Sequence, residues 1–270
     1  MAKAFSVASW NVEHFGDKKE KIEPVVSYLA EQNADIIAIY EVESKLVFEP
    51  LMKAMPNYQF HITEGPQVQE ILVGIKHGVS AYVTQKLTFK SGQSTLRPGV
   101  LVTVNVAGEF YPILFLHLKS STSPKSLGLR DDMLYRAFKF REVLDKAAGG
   151  PGKANYLFLG DLNTMGMEYP WGHKIPSEVE IKRIKERAEA QRMRLLTKNS
   201  NFTWWNGPGS SYPPGNFDHV VASDHLSFKS FAGAEVDVRG WTKEATGEGK
   251  ALWIKRYSDH ALLYFEVQQV

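Results

Sequence analysis

The chain has 270 residues, 43% of them apolar and 23% charged, with a formal net charge of +2. That composition is ordinary for a globular protein with a sizeable core, and the near-balanced charge neither requires nor rules out a polyanionic partner. Cysteine is absent, which excludes disulfides, thiolate nucleophiles and cysteine metal sites. No run approaches the roughly 18 apolar residues of a membrane span, so no membrane association is expected. The N-terminus enters a strand-like segment at Phe5 and leaves no room for a signal peptide. A cytoplasmic location is the default expectation, with a secreted or periplasmic one if an export signal has been removed. No linker or internal repeat divides the chain, and residues 1–270 read as one domain.

Phe5–Trp10 reads as a buried strand closed by Asn11. Lys21–Gln32 carries Ile22, Val25, Val26 and Leu29 at helical spacing, with Pro24 in the first turn. Ala34–Val42 is apolar and β-branched, so the order strand–helix–strand predicts a βαβ unit with parallel strands. Tyr58–Thr63, Glu70–Lys76, Ala81–Phe89, Val100–Val106 and Tyr111–Leu118 are short strands. They are set off by turn signals at Glu64-Gly65-Pro66, His77-Gly78 and Ala107-Gly108, and their spacing predicts an antiparallel meander. Asp131–Lys146 returns to helix, Asn155–Leu159 is a buried strand, and Ser177–Leu196 is a charged helical stretch. Phe217–Ala222 and Ala261–Val267 read as the last core strands.

The polar residues fall where the apolar runs stop. SVASWN ends in Asn11, IIAIYE reaches Glu41, ILFLH ends in His117, and YLFLGDLN ends in Asp161 and Asn163. Ligands of α/β sheets gather at the carboxyl ends of strands. Two further motifs reverse the order: FDHVV puts Asp218 and His219 before a strand, and SDHALLYF puts Asp259 and His260 before another. For all six groups to share one edge, the last two strands must run opposite to the first four, which demands mixed sheets. Taken singly, each residue is explained by a turn, a cap or a surface ion pair. Taken together, half-buried carboxylates need a common partner, and a divalent cation supplies one.

The ordered set Trp10-Asn11, Glu41, His117-Leu-Lys-Ser120, Gly160-Asp-Leu-Asn163, Phe217-Asp218-His219 and Ser258-Asp-His260 resembles the endonuclease/exonuclease/phosphatase superfamily. That superfamily includes pancreatic deoxyribonuclease I-like and exonuclease III-like enzymes, and the resemblance spans nearly the whole chain. It implies a four-layer α/β sandwich with two facing mixed β-sheets flanked by helices. It also implies a divalent-metal-dependent phosphodiester hydrolase using Mg2+, with Mn2+ or Ca2+ as alternatives. Glu41 would be the principal metal ligand, with Asn11 beside it and Asp259 near the metal. Asp161 would orient or deprotonate the attacking water, and Asn163 would hold Asp161 and the phosphate. His117 and His260, the latter oriented by Asp218, would face the scissile phosphate. Cations and N–H donors stabilise the charge that builds on phosphate oxygens, so these residue types suit the chemistry. A second Ser-Asp-His at 223–225 follows a strand and reads as a surface turn.

For substrate binding, Arg97 and Lys119 are candidate phosphate contacts, and Trp204 and Trp205 are candidates for stacking on bases. Each could equally be a solvated charge or a packed ring. Residues 177–199 carry seven Lys or Arg against four Glu, and residues 239–256 carry Arg239, Lys243, Lys250, Lys255 and Arg256. Two basic segments lean towards a polyanion. The reading is a DNA nuclease acting as a monomer without an obligate protein partner. The alternative is a phosphoesterase acting on a small molecule, a nucleotide or a lipid head group. Gly215-Asn216 precede Phe217-Asp218 where DNA-repair members carry an arginine, so specificity for abasic sites is not implied.

Overall fold

The computed structural model describes residues 2–65 and 69–270; Met1, and Pro66 of the first predicted turn signal, lie outside the described residues. In chain order the elements are β1 (Lys3–Phe15), α1 (Lys19–Gln32), β2 (Ile36–Val42), α2 (Phe48–Ala54), β3 (Tyr58–Ile62) and β4 (Glu70–Lys76). There follow β5 (Ser80–Lys86), β6 (Gly99–Val106), β7 (Glu109–His117), α3 (Pro124–Ala147), β8 (Leu157–Asp161), β9 (Met167–Glu168) and β10 (Lys174–Ile175). The last are α4 (Ser177–Ala190), β11 (Met193–Leu195), β12 (Asp218–Ser223), β13 (Asp237–Arg239), α5 (Gly247–Arg256) and β14 (Leu262–Gln268).

These elements fall into two units built from interleaved stretches of chain. The first comprises Met1–Val79, Thr197–Gly215 and Phe228–Gln269, and the second chiefly Ser80–Leu196 and Asn216–Ser227. The first holds a six-stranded sheet in the order β13-β14-β1-β2-β4-β3, and the second a six-stranded sheet in the order β11-β12-β8-β7-β6-β5. In the first, β1 and β2 are parallel, completing the predicted βαβ unit, while β14 runs antiparallel to β1. In the second, β7 and β8 are parallel and β12 runs antiparallel to β8. Each sheet is therefore mixed, as the reversed order of the late motifs requires. Mixed sheets with helices around them are the α/β sandwich class expected from the sequence. Among the described residues no helix is long and apolar enough to cross a membrane.

In the first unit, Trp10 on β1 meets Tyr28 on α1 edge-on at 5.4 Å and Trp253 on α5 at 5.9 Å, an aromatic cluster under β1. In the second, α3 and α4 lay Met133, Leu134, Ala137, Phe138, Ile184 and Ala188 against Leu114 and Leu116 of β7 and Phe158 of β8. Phe138 and Phe158 cross at 89° with centroids 5.0 Å apart, an edge-to-face pair that adds about 0.5–1.5 kcal/mol beyond its burial. Strands β1, β2, β7 and β8 are buried at consecutive positions, which in an alternating strand means both faces are covered.

Several boundaries differ from the sequence reading. The run of strands from Tyr58 to Leu118 is not one meander. It divides at Val79/Ser80, with β3 and β4 joining β2 while β5, β6 and β7 start the other sheet. Helix α3 begins seven residues before Asp131, because the Ser123 hydroxyl accepts from the Ser126 amide at 3.2 Å and Pro124 takes the first helical position. Gly128 and the polar stretch before it hide that start in the sequence. Pro24 sits in the second turn of α1, not the first, since the helix begins at Lys19. The stretch Ser177–Leu196 is not one helix: it turns at Arg192, which adopts φ 51, and continues as β11. The basic segment 239–256 is largely helical, with Gly247–Arg256 forming α5.

Two of its basic residues are already neutralised. Asp237 accepts from Arg239 at 2.7 Å, Lys243 at 2.8 Å and Asn199 at 2.7 Å, and Arg239 also lies 3.7 Å over the Tyr264 ring. Burial alone would raise the Asp237 carboxyl, but these donors outweigh it and hold it at about 2. The unfolded carboxyl titrates near 3.9. The pairing therefore adds stability that is full above about pH 4 and is lost as pH falls through about 2. Asp237→Asn is expected to cost about 1–2 kcal/mol at pH 7, after allowing for solvent screening, and almost nothing near pH 2. Urea midpoints of the two proteins across that range check it.

The lookalike Ser223-Asp-His225 is only half a surface turn. Asp224 is exposed, but Ser223 is fully buried, where its hydroxyl accepts from Arg141 and from the Tyr156 amide. It closes the edge of the second sheet opposite to Asp161 and Asp218.

Candidate active site

In the first unit, β1 pairs regularly with β2 as far as Asn11↔Tyr40 and resumes at Phe15↔Val42. Between them Glu13 and His14 take left-handed conformations at φ 38 and φ 55, and Glu41 does so at φ 62. Gly16, at φ 104, lets this irregular stretch lie against Ser44, whose Cβ a side chain at Gly16 would meet at 2.5 Å. The irregularity re-aims groups at one carboxylate. Asn11 Nδ2 donates to Glu41 Oε1 at 3.2 Å, and the His14 amide donates to Glu41 Oε2 at 3.1 Å. The His14 imidazole in turn lies 2.6 Å from Glu43 and 3.9 Å from Glu41. The Glu43 hydrogen bond raises the His14 pKa against the opposing effect of burial, and the nearby carboxylates of Glu41, Glu43 and Glu13 raise it further.

The Ser258-Asp259-His260 motif is fixed to the same region by its backbone. Ser258 donates its hydroxyl to the Asn11 carbonyl at 2.8 Å and accepts from the His260 amide at 3.0 Å. Three indoles hold the rest: Trp10 donates to the His260 carbonyl at 2.8 Å, Trp241 to the Asp259 carbonyl at 3.1 Å, and Trp204 to Asp259 Oδ2 at 2.7 Å. Burial pushes the Asp259 carboxyl up and the Glu13 and Glu41 charges add to this, while His260 and the Trp204 bond oppose it. Trp204 and Trp205 are both half-buried, and Trp205 stacks at a tilt on the buried Trp241, centroids 5.9 Å apart. Trp204 thus holds a carboxylate with its N–H whatever its ring does. Trp204→Phe keeps an aromatic face and loses the donor, and is expected to lower turnover about tenfold, equivalent to about 1.4 kcal/mol. If stacking alone mattered, the phenylalanine variant would keep full activity and only Trp204→Ala would lose it.

In the second unit, the register places His117 beside Asp161 and Asp161 beside Asp218, across the adjoining ends of β7, β8 and β12. His117 Nε2 lies 3.5 Å from Asp161 Oδ2, both almost fully buried. Asp161 Oδ1 accepts from the Asn163 amide at 3.0 Å, and Asn163, at φ 49, donates its side-chain amide to the Leu118 carbonyl at 3.2 Å. That pair ties the loop after β7 to the loop after β8. His219 Nε2 lies 2.9 Å from both the Thr164 hydroxyl and the Asn216 carbonyl, which ties the loop after β8 to the entry of β12. Lys119 is partly buried near Arg97, Lys125 and Arg130; burial first, and then these cations, lower its pKa. Arg97 precedes β6, as expected.

The structure thus brings Asn11, Glu41, Asp259 and His260 together in one unit, and His117, Asp161, Asn163 and Asp218 together in the other. His14 and Glu43 were not singled out in the sequence, and neither was Thr164; His219 was marked there only as a member of the Phe217-Asp218-His219 motif, with no role assigned. Within the first unit the ligand atoms of His14, Glu41 and Glu43 all lie within 4.8 Å of one another. Two carboxylates, an imidazole and a neighbouring amide are a donor set that fits a hard or borderline divalent cation.

Mixed sheets with helices around them, carrying carboxylates, amides and imidazoles at their strand ends, are the architecture of the deoxyribonuclease I-like fold class. The chain belongs to the Endonuclease/Exonuclease/phosphatase family, whose profile matches residues 8–260. The bovine (Bos taurus) Tyrosyl-DNA phosphodiesterase 2 is 24% identical over 187 residues, 65% of this chain and 46% of that protein, so the match spans about half the relative's length. Truncated TDP2 from Caenorhabditis elegans superposes with a TM-score of 0.67 at 17% identity, covering 98% of each chain. The Bacteroides thetaiotaomicron mannosyl-6-phosphatase superposes at 0.61 and 15% identity, covering 98% of this chain and 100% of the other.

Proposed function

We propose that the chain is a Mg2+-dependent phosphodiesterase that cleaves DNA. The observation that carries the proposal is that each unit holds a carboxylate at a strand end between fixed donors. In one unit Glu41 is held by Asn11 and the His14 amide, and in the other Asp161 is held between His117 and Asn163. Asn11, Glu41 and Asp259 are the metal-binding set, with His14 and Glu43 beside them. Bound there, a divalent cation would neutralise charge on the phosphate oxygens. Asp161 orients the attacking water and accepts its proton, and Asn163 keeps Asp161 in place. His117 and His260 donate to the phosphate, Asp218 completes the set, and Arg97 and Lys119 take the phosphate's remaining charge. Mn2+ or Ca2+ could replace Mg2+ in an all-oxygen shell of adaptable geometry. DNA as substrate is supported by the name of the bovine relative.

One observation favours the second reading, a small-molecule phosphoesterase: Arg239 and Lys243 are engaged with Asp237 and do not form a basic tract. The test offers supercoiled plasmid, an abasic duplex, a tyrosine-linked oligonucleotide, an aryl phosphodiester and an aryl phosphomonoester, each with Mg2+, Mn2+ or EDTA. Metal-dependent turnover of the DNA substrates is expected. Turnover of the monoester alone would transfer the site to small molecules, and full activity in EDTA would remove the metal.

A further inference from the structure

The guanidinium of Arg130, on α3, is fully buried yet lies outside the set of groups placed at the phosphate. All five of its N–H groups are used. Nε donates to Glu180 Oε1 at 2.7 Å and Nη2 to Glu180 Oε2 at 3.0 Å, a two-point pair between α3 and α4. Nη1 donates to the carbonyls of Lys119 at 3.0 Å and Ser121 at 2.8 Å, and Nη2 donates to the Gly166 carbonyl at 2.7 Å. Glu180 closes the circuit by accepting from the Gly166 amide at 2.9 Å. The first two carbonyls lie just after His117, and the third lies just after Asn163.

A buried ion pair is weak evidence for stability, because well-packed apolar residues in its place are often neutral or stabilising. What a flat guanidinium does that an apolar side chain or a lysine cannot is hold several carbonyls in fixed directions at once. The two loops concerned also bond each other. The Glu168 amide donates to the Thr122 carbonyl at 2.7 Å, and the Ser121 amide approaches the Met165 sulfur at 3.2 Å. Gly166, at φ 71, is pressed so close to the β10–α4 junction that a Cβ would sit 2.1 Å from the Ile175 carbonyl. Moreover, a trans peptide points its N–H away from its C=O, so turning the Lys119 and Ser121 carbonyls towards Arg130 turns the Ser120 and Thr122 amides the other way.

We propose that Arg130, locked by Glu180, is a positioning residue for hydrolysis: it sets the loops after β7 and β8 in register and thereby aims His117, Lys119, Asp161 and Asn163. This rests on the phosphodiesterase reading above. The test compares the wild type with Arg130→Lys, the double variant Arg130→Met/Glu180→Met, and Arg136→Met, an exposed control on the same helix. Melting temperature, kcat and KM for an aryl phosphodiester, the half-saturating Mn2+ concentration, and amide hydrogen exchange over residues 118–123 and 162–168 are measured for each. The double variant is expected to melt within a few degrees of the wild type, with kcat at least 30-fold lower, KM and Mn2+ half-saturation within about threefold, and faster exchange in both loops. Arg130→Lys should lose about tenfold in kcat, and Arg136→Met should lose nothing. A folded double variant with wild-type kcat and exchange overturns the proposal. If the double variant does not fold, unchanged kcat and exchange in Arg130→Lys overturn it instead. If the wild type hydrolyses no phosphodiester, the exchange data alone decide on Arg130, and the two failures stay separate.

Discussion

Glu41→Gln is expected to cut metal-dependent hydrolysis by about 10²–10³-fold and to remove the thermal stabilisation that Mg2+ or Mn2+ gives the wild type. The carboxylate is met by two donors, Asn11 Nδ2 on one oxygen and the His14 amide on the other. Glutamine offers one acceptor oxygen, so its NH2 must face one of those donors. Asn11 cannot relieve this by flipping, because its own Oδ1 accepts from the Glu13 amide at 3.1 Å. The misfit costs about 1–3 kcal/mol, offset by the loss of one negative charge beside Glu43 and Glu13. The metal-free variant should therefore melt close to the wild type. A ligand that binds only the folded state stabilises it by about 2.7 kcal/mol at a hundred times its Kd, and that increment should vanish with the carboxylate. Melting curves with and without 10 mM-scale Mg2+ separate this outcome from simple unfolding. A variant that still gained stability from metal while losing turnover would move the cation away from Glu41.

How much of this was legible in the sequence depends on what fixes each residue. Asn11, Glu41, His117 and Asp161 stand out because a run of apolar side chains stops at each, and a strand buried on both faces admits such residues only at its end. The direction of β12 and β14 followed from Asp218 and Asp259 preceding their runs. His14 and Glu43 were invisible for the opposite reason. They reach Glu41 through left-handed turns at Glu13, His14 and Glu41 itself, and a glutamate carries no sequence mark of that conformation. Arg192 hid the turn into β11 in the same way. The assignment of β3 and β4 to one sheet and β5–β7 to the other depends on which edges pair, and each strand taken alone reads alike in either place. Arg130 and Glu180 carried no mark in the sequence, because their partnership spans 50 positions and periodicity says nothing about partners at that distance.

His260→Ala is expected to lower kcat by about 10²–10⁴-fold, the range of a positioned proton donor or acceptor, while leaving the entry to β14 in place. Its backbone is anchored at three points. Its amide donates to Ser258 Oγ at 3.0 Å, its carbonyl accepts from Trp10 at 2.8 Å, and the next amide, that of Ala261, donates to the Thr203 carbonyl at 2.7 Å. Alanine keeps all three. The buried imidazole leaves a small polar cavity whose cost lies in the ordinary 0.5–3 kcal/mol range of a point substitution, so circular dichroism should show a folded protein several degrees less stable at most. His225→Ala is the matched control. It removes the imidazole of the other Ser-Asp-His, which lies 2.9 Å from Asn155 Oδ1 near the far end of β12, and turnover should be unchanged. Equal losses in the two variants would mean that both histidines act only through stability. A loss confined to His260, partly restored by added imidazole, would place the missing chemistry at that ring.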